Sequence, residues 1–228
     1  MMEEGIPFVI EGKQVFLPFI GYLLSKENER ELAPVYLISF LTQKMLITAI
    51  YEEWERINVT QAAQALNVTK TSITRCFDEI EALSIPVMKK YGRSRYIFGA
   101  SNKKNFWNLI KKFLRNPLIR TFAFDTELEN NLVAGGFSAL AQYSMLADND
   151  YPTYAVAKEN LKELQISKLK QTPNGETPVC VLQELGYMIK YKNINAVDPL
   201  TLYLLFEKEN NDPRIEIATD EMLEEYVW

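Results

Sequence analysis

The stretch that decides the fold reads NVTQAAQALNVTKTSITR and covers residues 58–75. In its first half, an alanine-rich segment follows Thr60, and threonine is a residue type that caps helix N-termini. Asn67 lies near the centre, and asparagine readily adopts the left-handed conformation that ends a helix. Thr69 follows as a second candidate cap. The stretch therefore predicts two helices joined by a tight turn, over 61–66 and 70–83.

The second predicted helix has an apolar face and a polar face. Its apolar residues recur at helical spacing, whereas the acids Asp78, Glu79 and Glu81 come only after the first turns. A helix that enters the major groove of DNA needs short polar and cationic side chains on its first turns. This helix carries such side chains there: Lys70, Thr71, Ser72, Thr74 and Arg75.

A β-hairpin is predicted immediately after this helix. Residues 87–98 read VMKKYGRSRYIF, which indicates strands over 87–91 and 95–98 around Gly92-Arg93-Ser94. Four cations lie on or beside its tip: Lys89, Lys90, Arg93 and Arg95. Such a tip can reach the DNA backbone or the minor groove.

The order of helix, short helix, turn, helix and hairpin over residues 44–98 resembles the winged helix-turn-helix family, on about a quarter of the chain. The resemblance implies a recognition helix in the major groove and a wing on the backbone of double-stranded DNA. Because one such module reads a half-site, a homodimer is expected. The candidate DNA-binding residues are Lys70, Thr71, Ser72, Thr74, Arg75, Lys89, Lys90, Arg93, Arg95, Lys103 and Lys104.

The distribution of charge favours the same interpretation. Residues 57–115 contain eleven cations and three acids, a net charge of +8, while the rest of the chain carries −13 and the whole chain −5. Lys103, Lys104, Lys111 and Lys112 extend this block over a further predicted helix, residues 102–114. A basic block inside an acidic protein indicates a module that binds polyanions. A solvated lysine-rich surface would give the same count, so charge alone leaves both interpretations open.

Composition excludes several classes of function. The chain has no histidine, which removes Ser-His-Asp and Cys-His catalytic systems and zinc sites built on histidine. Its two cysteines, Cys76 and Cys180, are too few for a disulfide framework or a thiolate metal site. Gly135-Gly136 lacks the residues of a phosphate loop, and the acids at the C-terminus are expected to be solvated. These observations leave enzymes built on carboxylates, lysine or tyrosine as an alternative. We expect a binding protein with no cofactor and no metal, not an enzyme.

No stretch predicts a membrane span or a signal peptide. The longest apolar run, residues 15–24, is interrupted by Pro18 and Gly21 and is shorter than the roughly 20 residues that a span requires. The chain begins MMEEG, which is acidic where a signal peptide is basic. A cytoplasmic protein is expected.

The predicted fold class is α+β, in three parts. Residues 1–34 form an N-terminal arm, a hairpin of two strands over 7–17 around a Glu11-Gly12 turn. Residues 35–116 form the winged helix-turn-helix domain, in which apolar residues recur at helical spacing over 35–54. The composition shifts at Asn116-Pro117, and residues 117–228 form an α+β C-terminal domain. In the last part, the predicted strands are 120–124, 153–157 and 177–183. The predicted helices are 132–146, 199–207 with Asp198 as its cap, and 219–228. Its tyrosines, among them Tyr143, Tyr187 and Tyr191, are expected in the core, although a ligand pocket is the alternative.

Residues 130–156 and 197–228 are similar to segments of AbiEi-like antitoxins. This resemblance implies a transcriptional regulator that represses its own operon and opposes a nucleotidyltransferase toxin, as in a type IV toxin–antitoxin pair. The alternative is a protein-interaction module, in which the acidic C-terminal domain binds a basic partner and the winged helix serves as a scaffold.

Overall fold

The computed structural model describes residues 8–10, 14–17, 22–25, 37–128, 132–166, 169–173, 175–207 and 212–228. These residues form a mixed α+β protein in which helices alternate with short strands. The chain divides into two units, Met1–Val35 and Tyr36–Trp228.

The first unit contains three antiparallel strands, β1 (Phe8–Ile10), β2 (Gln14–Leu17) and β3 (Tyr22–Ser25), in that order across the sheet. The two strands predicted over 7–17 are confirmed as β1 and β2, while the turn predicted at Glu11-Gly12 lies outside the described residues. The third strand was not predicted from the sequence.

The second unit begins with helix α1 (Phe40–Tyr51), which is capped by Ser39 and is shorter at both ends than the apolar periodicity over 35–54 suggested. Strand β4 (Arg56–Asn58) leads directly into helix α2 (Val59–Ala65). The prediction that Thr60 caps this helix is wrong. Asn58 accepts a hydrogen bond from the Gln61 amide, and the Gln61 side chain accepts one from the Asn58 amide. This reciprocal pair satisfies two otherwise unpaired donors, so the helix begins earlier.

The two predicted caps at the following turn are confirmed. Asn67 has φ of 52°, in the left-handed region, and ends α2. Helix α3 (Lys70–Ala82) begins at Thr69, whose hydroxyl accepts a hydrogen bond from the Ser72 amide at 3.2 Å.

The predicted hairpin is confirmed as β5 (Met88–Tyr91) and β6 (Ser94–Phe98), with Gly92 at φ of +59° in the turn. Strand β4 pairs with the other edge of β6, which gives an antiparallel three-stranded sheet in the order β4-β6-β5. Helix α4 (Lys103–Ile110) follows, capped by Asn102, and ends in a 3₁₀ turn over Lys111–Phe113.

The rest of the unit is built on a four-stranded sheet in the order β7-β10-β9-β8. Its strands are β7 (Leu118–Phe124), β8 (Val133–Ala134), β9 (Thr153–Ala157) and β10 (Cys180–Leu185). Strands β10 and β9 are parallel, and the other neighbours are antiparallel. The strand predicted over 153–157 is confirmed without a shift, and the other two begin or end a few residues away from their predicted bounds.

One helix prediction in this region is wrong. The sequence predicted a single helix over 132–146, whereas the chain forms β8, passes Gly135 in an extended conformation, and only then forms helix α5 (Gly136–Tyr143). A Cβ on Gly135 would lie 3.0 Å from Ala155 Cβ and 3.0 Å from Tyr154 C. The two glycines therefore allow β8 to pair closely with β9, which interrupts the helical pattern.

Helices α6 (Pro199–Phe206) and α7 (Pro213–Tyr226) end the chain, and each begins with an aspartate cap followed by proline. The first matches its prediction, including the cap Asp198; the second begins six residues before the predicted residue 219. The main cluster of buried side chains extends over both sides of the predicted boundary at 116/117. Within the described residues, no helix is both long and apolar enough to cross a membrane.

Candidate nucleic-acid interface

Helix α3 is fixed by its apolar face and by its first turn. Ile73, Cys76, Phe77 and Ile80 are buried in the main core. Burial raises the pKa of the Cys76 thiol to about 11, so this cysteine is protonated at neutral pH and packs as an apolar side chain. The opposite face is open to solvent at its N-terminal end, where Lys70, Thr71 and Arg75 are exposed.

Two predicted site residues on α3 have local hydrogen bonds. The Ser72 hydroxyl lies 2.9 Å from the Thr69 hydroxyl, within the helix cap. The Thr74 hydroxyl donates to the Lys70 carbonyl oxygen at 2.9 Å. Both side chains remain near the first turns, but their hydroxyl groups are partly committed to the helix itself.

Four predicted cations are exposed and have no carboxylate partner among the described residues: Lys70, Arg75, Lys89 and Arg93. The first two lie on α3, and the other two on strand β5 and in the hairpin turn. Unpaired cations keep their full charge available to an anionic ligand.

The other two hairpin cations bind the acids of α3. Arg95 Nη1 donates to Asp78 Oδ1 at 2.5 Å and to Glu81 Oε2 at 3.2 Å, and Lys90 pairs with Glu81. The Arg95 side chain is only 18% exposed, and its guanidinium lies 5.7 Å from the centre of the Phe77 ring. These contacts attach the hairpin to the helix.

The third acid of α3 is bound elsewhere. Glu79 Oε2 accepts hydrogen bonds from the Ser39 amide at 2.8 Å and from the Thr42 hydroxyl at 2.5 Å, at the N-terminus of α1. A carboxylate is favourable at a helix N-terminus. All three acids of the basic block are thus occupied by contacts within the protein, which leaves its free charge positive.

The lysines of α4 and the following turn lie in a different environment. Lys103 pairs with Glu53 at 3.0 Å, and Lys104 pairs with Glu224 of α7 at 2.5 Å. Lys111 contacts the Tyr203 hydroxyl and lies 3.4 Å from Glu207. Although burial opposes its charged form, these two contacts raise the pKa of Lys111. The structure therefore joins Lys104 and Lys111 to the acidic C-terminal helices, and does not join these lysines to the α3–hairpin cations.

Arg56, which lies one residue before the basic block, was not among the predicted site residues. It is exposed on β4, opposite Phe98 of β6, and its guanidinium lies 3.9 Å from the centre of the Tyr96 ring. The alternation of Arg56, Ile57 and Asn58 was a weak strand signal, but a three-residue strand is too short to be recognised by periodicity.

A second group of polar side chains lies inside the core. Tyr51 Oη donates to Asp198 Oδ1 at 2.7 Å, the Thr201 amide donates to the same oxygen at 3.0 Å, and Oδ2 is buried with no partner among the described residues. Burial raises the pKa of Asp198. The buried rings of Tyr143, Tyr187 and Tyr191 belong to the same core, as expected from the sequence.

The described residues contain no group of three or more Cys, Asp or Glu side chains arranged to hold a metal ion. Comparison of the chain with protein-family profiles, with curated proteins and with solved structures gives no match.

Proposed function

We propose that this protein binds double-stranded DNA through the first turns of α3 and the β5–β6 hairpin, in the manner of a winged helix-turn-helix protein. The order of helix, short helix, turn, helix and hairpin, on which the resemblance to that family rests, is present as α1, α2, α3, β5 and β6, and it supports the proposal. The observation that carries it is electrostatic. Four exposed cations on these two elements have no carboxylate partner in the described part of the chain, while all three nearby acids are occupied.

The residue roles follow from these contacts. Lys70, Thr71 and Arg75 face base edges and nearby phosphates, because they occupy the exposed first turns of α3. Lys89 and Arg93 bind the phosphate backbone from the hairpin. Lys90 and Arg95 act within the protein and fix the distance between hairpin and helix.

The biological role proposed here is that of a transcriptional regulator that acts as a homodimer. Two copies read two half-sites, which one winged helix cannot do. The net charge of −13 outside residues 57–115 limits non-specific binding to DNA, because it repels the duplex. The resemblance to AbiEi-like antitoxins adds the proposal that the regulated operon encodes a nucleotidyltransferase toxin.

The test is a fluorescence anisotropy titration of the full chain against a duplex from the region upstream of its own gene. We expect Arg75→Ala and Arg93→Ala each to weaken binding. Each should also reduce the slope of log K against log salt concentration by about 0.9 for every phosphate that the variant no longer neutralises.

Lys104→Ala is the matched control, because it removes a cation that pairs with Glu224. It should bind the duplex as tightly as the parent. If Arg75→Ala and Arg93→Ala also bind like the parent, the proposed surface is wrong; if a shuffled duplex binds equally well, the protein is not sequence-specific.

A further inference from the structure

The three-stranded sheet β4-β6-β5 has two unlike faces. Ile57 and Ile97 lie opposite each other in the register and are buried in the core. Because side chains alternate along a strand, the residues on either side of them point away from the core. The outward-facing group contains Arg56, Lys89, Tyr91, Tyr96 and Phe98, and we call it the aromatic face.

The aromatic face is a continuous group of three rings. The centre of the Tyr91 ring lies 6.1 Å from that of Tyr96 and 5.7 Å from that of Phe98, and the latter two are 6.0 Å apart. Tyr91 is 53% exposed, and Tyr96 and Phe98 are partly exposed. Exposed rings clustered in this way are unusual in a protein surface that binds nothing.

Two cations complete the aromatic face. The Arg56 guanidinium lies 3.9 Å from the Tyr96 ring centre, and Lys89 Nζ lies 5.9 Å from the Phe98 ring centre. Neither cation has an ion pair with a carboxylate of the described residues. The charge of the face is therefore positive, and an anionic ligand complements it.

The combination of rings and cations selects the ligand chemistry. A duplex offers phosphates but buries the faces of its bases in the stack, so it leaves exposed protein rings without a partner. Unpaired bases stack on aromatic side chains and on guanidinium planes, while cations follow the sugar–phosphate backbone. An acidic peptide would satisfy the two cations but would give the rings no flat partner.

We propose that the aromatic face binds single-stranded nucleic acid, with bases stacked on Tyr91 and on the Arg56–Tyr96 pair and with Lys89 beside a phosphate. The proposal does not depend on the duplex contacts of α3. It shares Lys89 with the proposed duplex site, whereas Arg56, Tyr91 and Tyr96 are used only here. It gives the protein a second nucleic-acid site on the sheet that carries the hairpin.

The experiment uses the full chain and labelled single strands of about twelve nucleotides, one of thymidine and one of uridine. We expect binding, and we expect Tyr91→Ala to weaken it by about 5-fold to 150-fold, the range for a base that no longer stacks on a ring. Tyr91→Phe, which keeps the ring, should bind like the parent. Arg56→Ala should weaken binding and reduce its salt dependence. Comparison of the two strands identifies DNA or RNA as the ligand.

Arg75→Ala separates this proposal from the duplex proposal. It should leave single-strand affinity unchanged, whereas Tyr91→Ala should leave duplex affinity unchanged. The inference is overturned if Tyr91→Ala and the parent bind the single strand with equal affinity. It is also overturned if an oligoglutamate peptide competes with the strand and if Tyr91→Ala weakens the binding of the peptide as much as the binding of the strand. Circular dichroism of each variant checks that the fold is intact.

Discussion

At the scale of single residues, Arg93 and Arg95 lie only two residues apart but differ in exposure and in their contacts. Arg93 is exposed in the hairpin turn without a carboxylate partner among the described residues, whereas Arg95 is largely covered and contacts Asp78, Glu81 and the Phe77 ring. The turn carries Arg93 into solvent, and strand alternation places Arg95 against α3. Arg95 therefore attaches the hairpin to α3, whereas ligand binding is proposed only for Arg93.

This difference predicts unlike results for two alanine variants. Arg95→Ala should lower the free energy of unfolding by about 1 kcal/mol, since it removes an ion-pair network and the packing of the arginine stem. Arg93→Ala should change it by less than about 0.5 kcal/mol, as expected for an exposed residue. Urea denaturation measures both.

Salt provides the control for this pair. The destabilisation caused by Arg95→Ala should shrink in concentrated salt, because the exposed carboxylates Asp78 and Glu81 are screened. Equal destabilisation by Arg93→Ala and Arg95→Ala would contradict the assigned roles.

At the scale of elements, the turn between α2 and α3 depends on the conformation of Asn67. Its φ of 52° lies in a region that costs most residues about 1–2 kcal/mol, and its side chain is exposed. Asn67→Ala should therefore destabilise the protein by about 1 kcal/mol, and Asn67→Val by more, because a β-branched side chain is hindered there.

Asn67→Gly is the matched variant, because glycine adopts this conformation without strain. It should unfold within about 0.5 kcal/mol of the parent in the same denaturation experiment. Destabilisation by Asn67→Gly as large as that by Asn67→Ala would show that the side chain, and not the backbone conformation, stabilises the turn.

Element types near this turn could be predicted because their signals are local. The caps at Asn67 and Thr69, the apolar face of α3 and the glycine turn of the hairpin all lie within a few residues of the structure they specify. The strand β8 and the start of α5 could not be predicted, because they depend on the approach of Tyr154 and Ala155 to Gly135. A helical pattern of small residues contains no information about that neighbour.

At the scale of the whole molecule, α1 contacts both halves of the second unit. Gln43 Nε2 donates to the Arg115 carbonyl at 2.8 Å and to the Tyr187 hydroxyl at 3.0 Å. The Phe40 ring packs so closely on Gly186 that a side chain there would not fit, because its Cβ would lie only 2.3 Å from the ring. The side chains on the two sides of residue 116 thus share one core. The change in composition at Asn116-Pro117 is therefore not accompanied by a gap in the packing.

The two Asp-Pro helix starts predict opposite effects of pH on stability. Burial raises the pKa of Asp198, whereas hydrogen bonds from Arg214 lower the pKa of Asp212. As pH rises above about 3.9, the unfolded chain loses the Asp198 proton while the folded chain retains it, so the contribution of Asp198 to stability falls until the raised pKa is passed. The contribution of Asp212 is present above about 3.9 and is lost as pH falls through its lowered pKa.

Asparagine variants test these signs, because asparagine keeps the capping oxygen and has no charge. Relative to the parent, Asp198→Asn should gain stability as pH rises, and Asp212→Asn should lose stability as pH rises. Denaturant titrations from about pH 3 to about pH 8 measure both. A loss of relative stability by Asp198→Asn as pH rises would show that burial does not raise the pKa of Asp198.

The sequence was sufficient for features that neighbouring residues specify: the mixed α+β character, the capped helix pair with its hairpin, and the positive charge of residues 57–115. Only the folded chain decided which of those charges are free. It paired Lys90, Arg95, Lys103 and Lys104 with carboxylates, and it brought Arg56 onto the rings of Tyr96 and Phe98. Backbone conformation depends on a few adjacent side chains, whereas an ion pair can join residues that are 120 positions apart, as for Lys104 and Glu224.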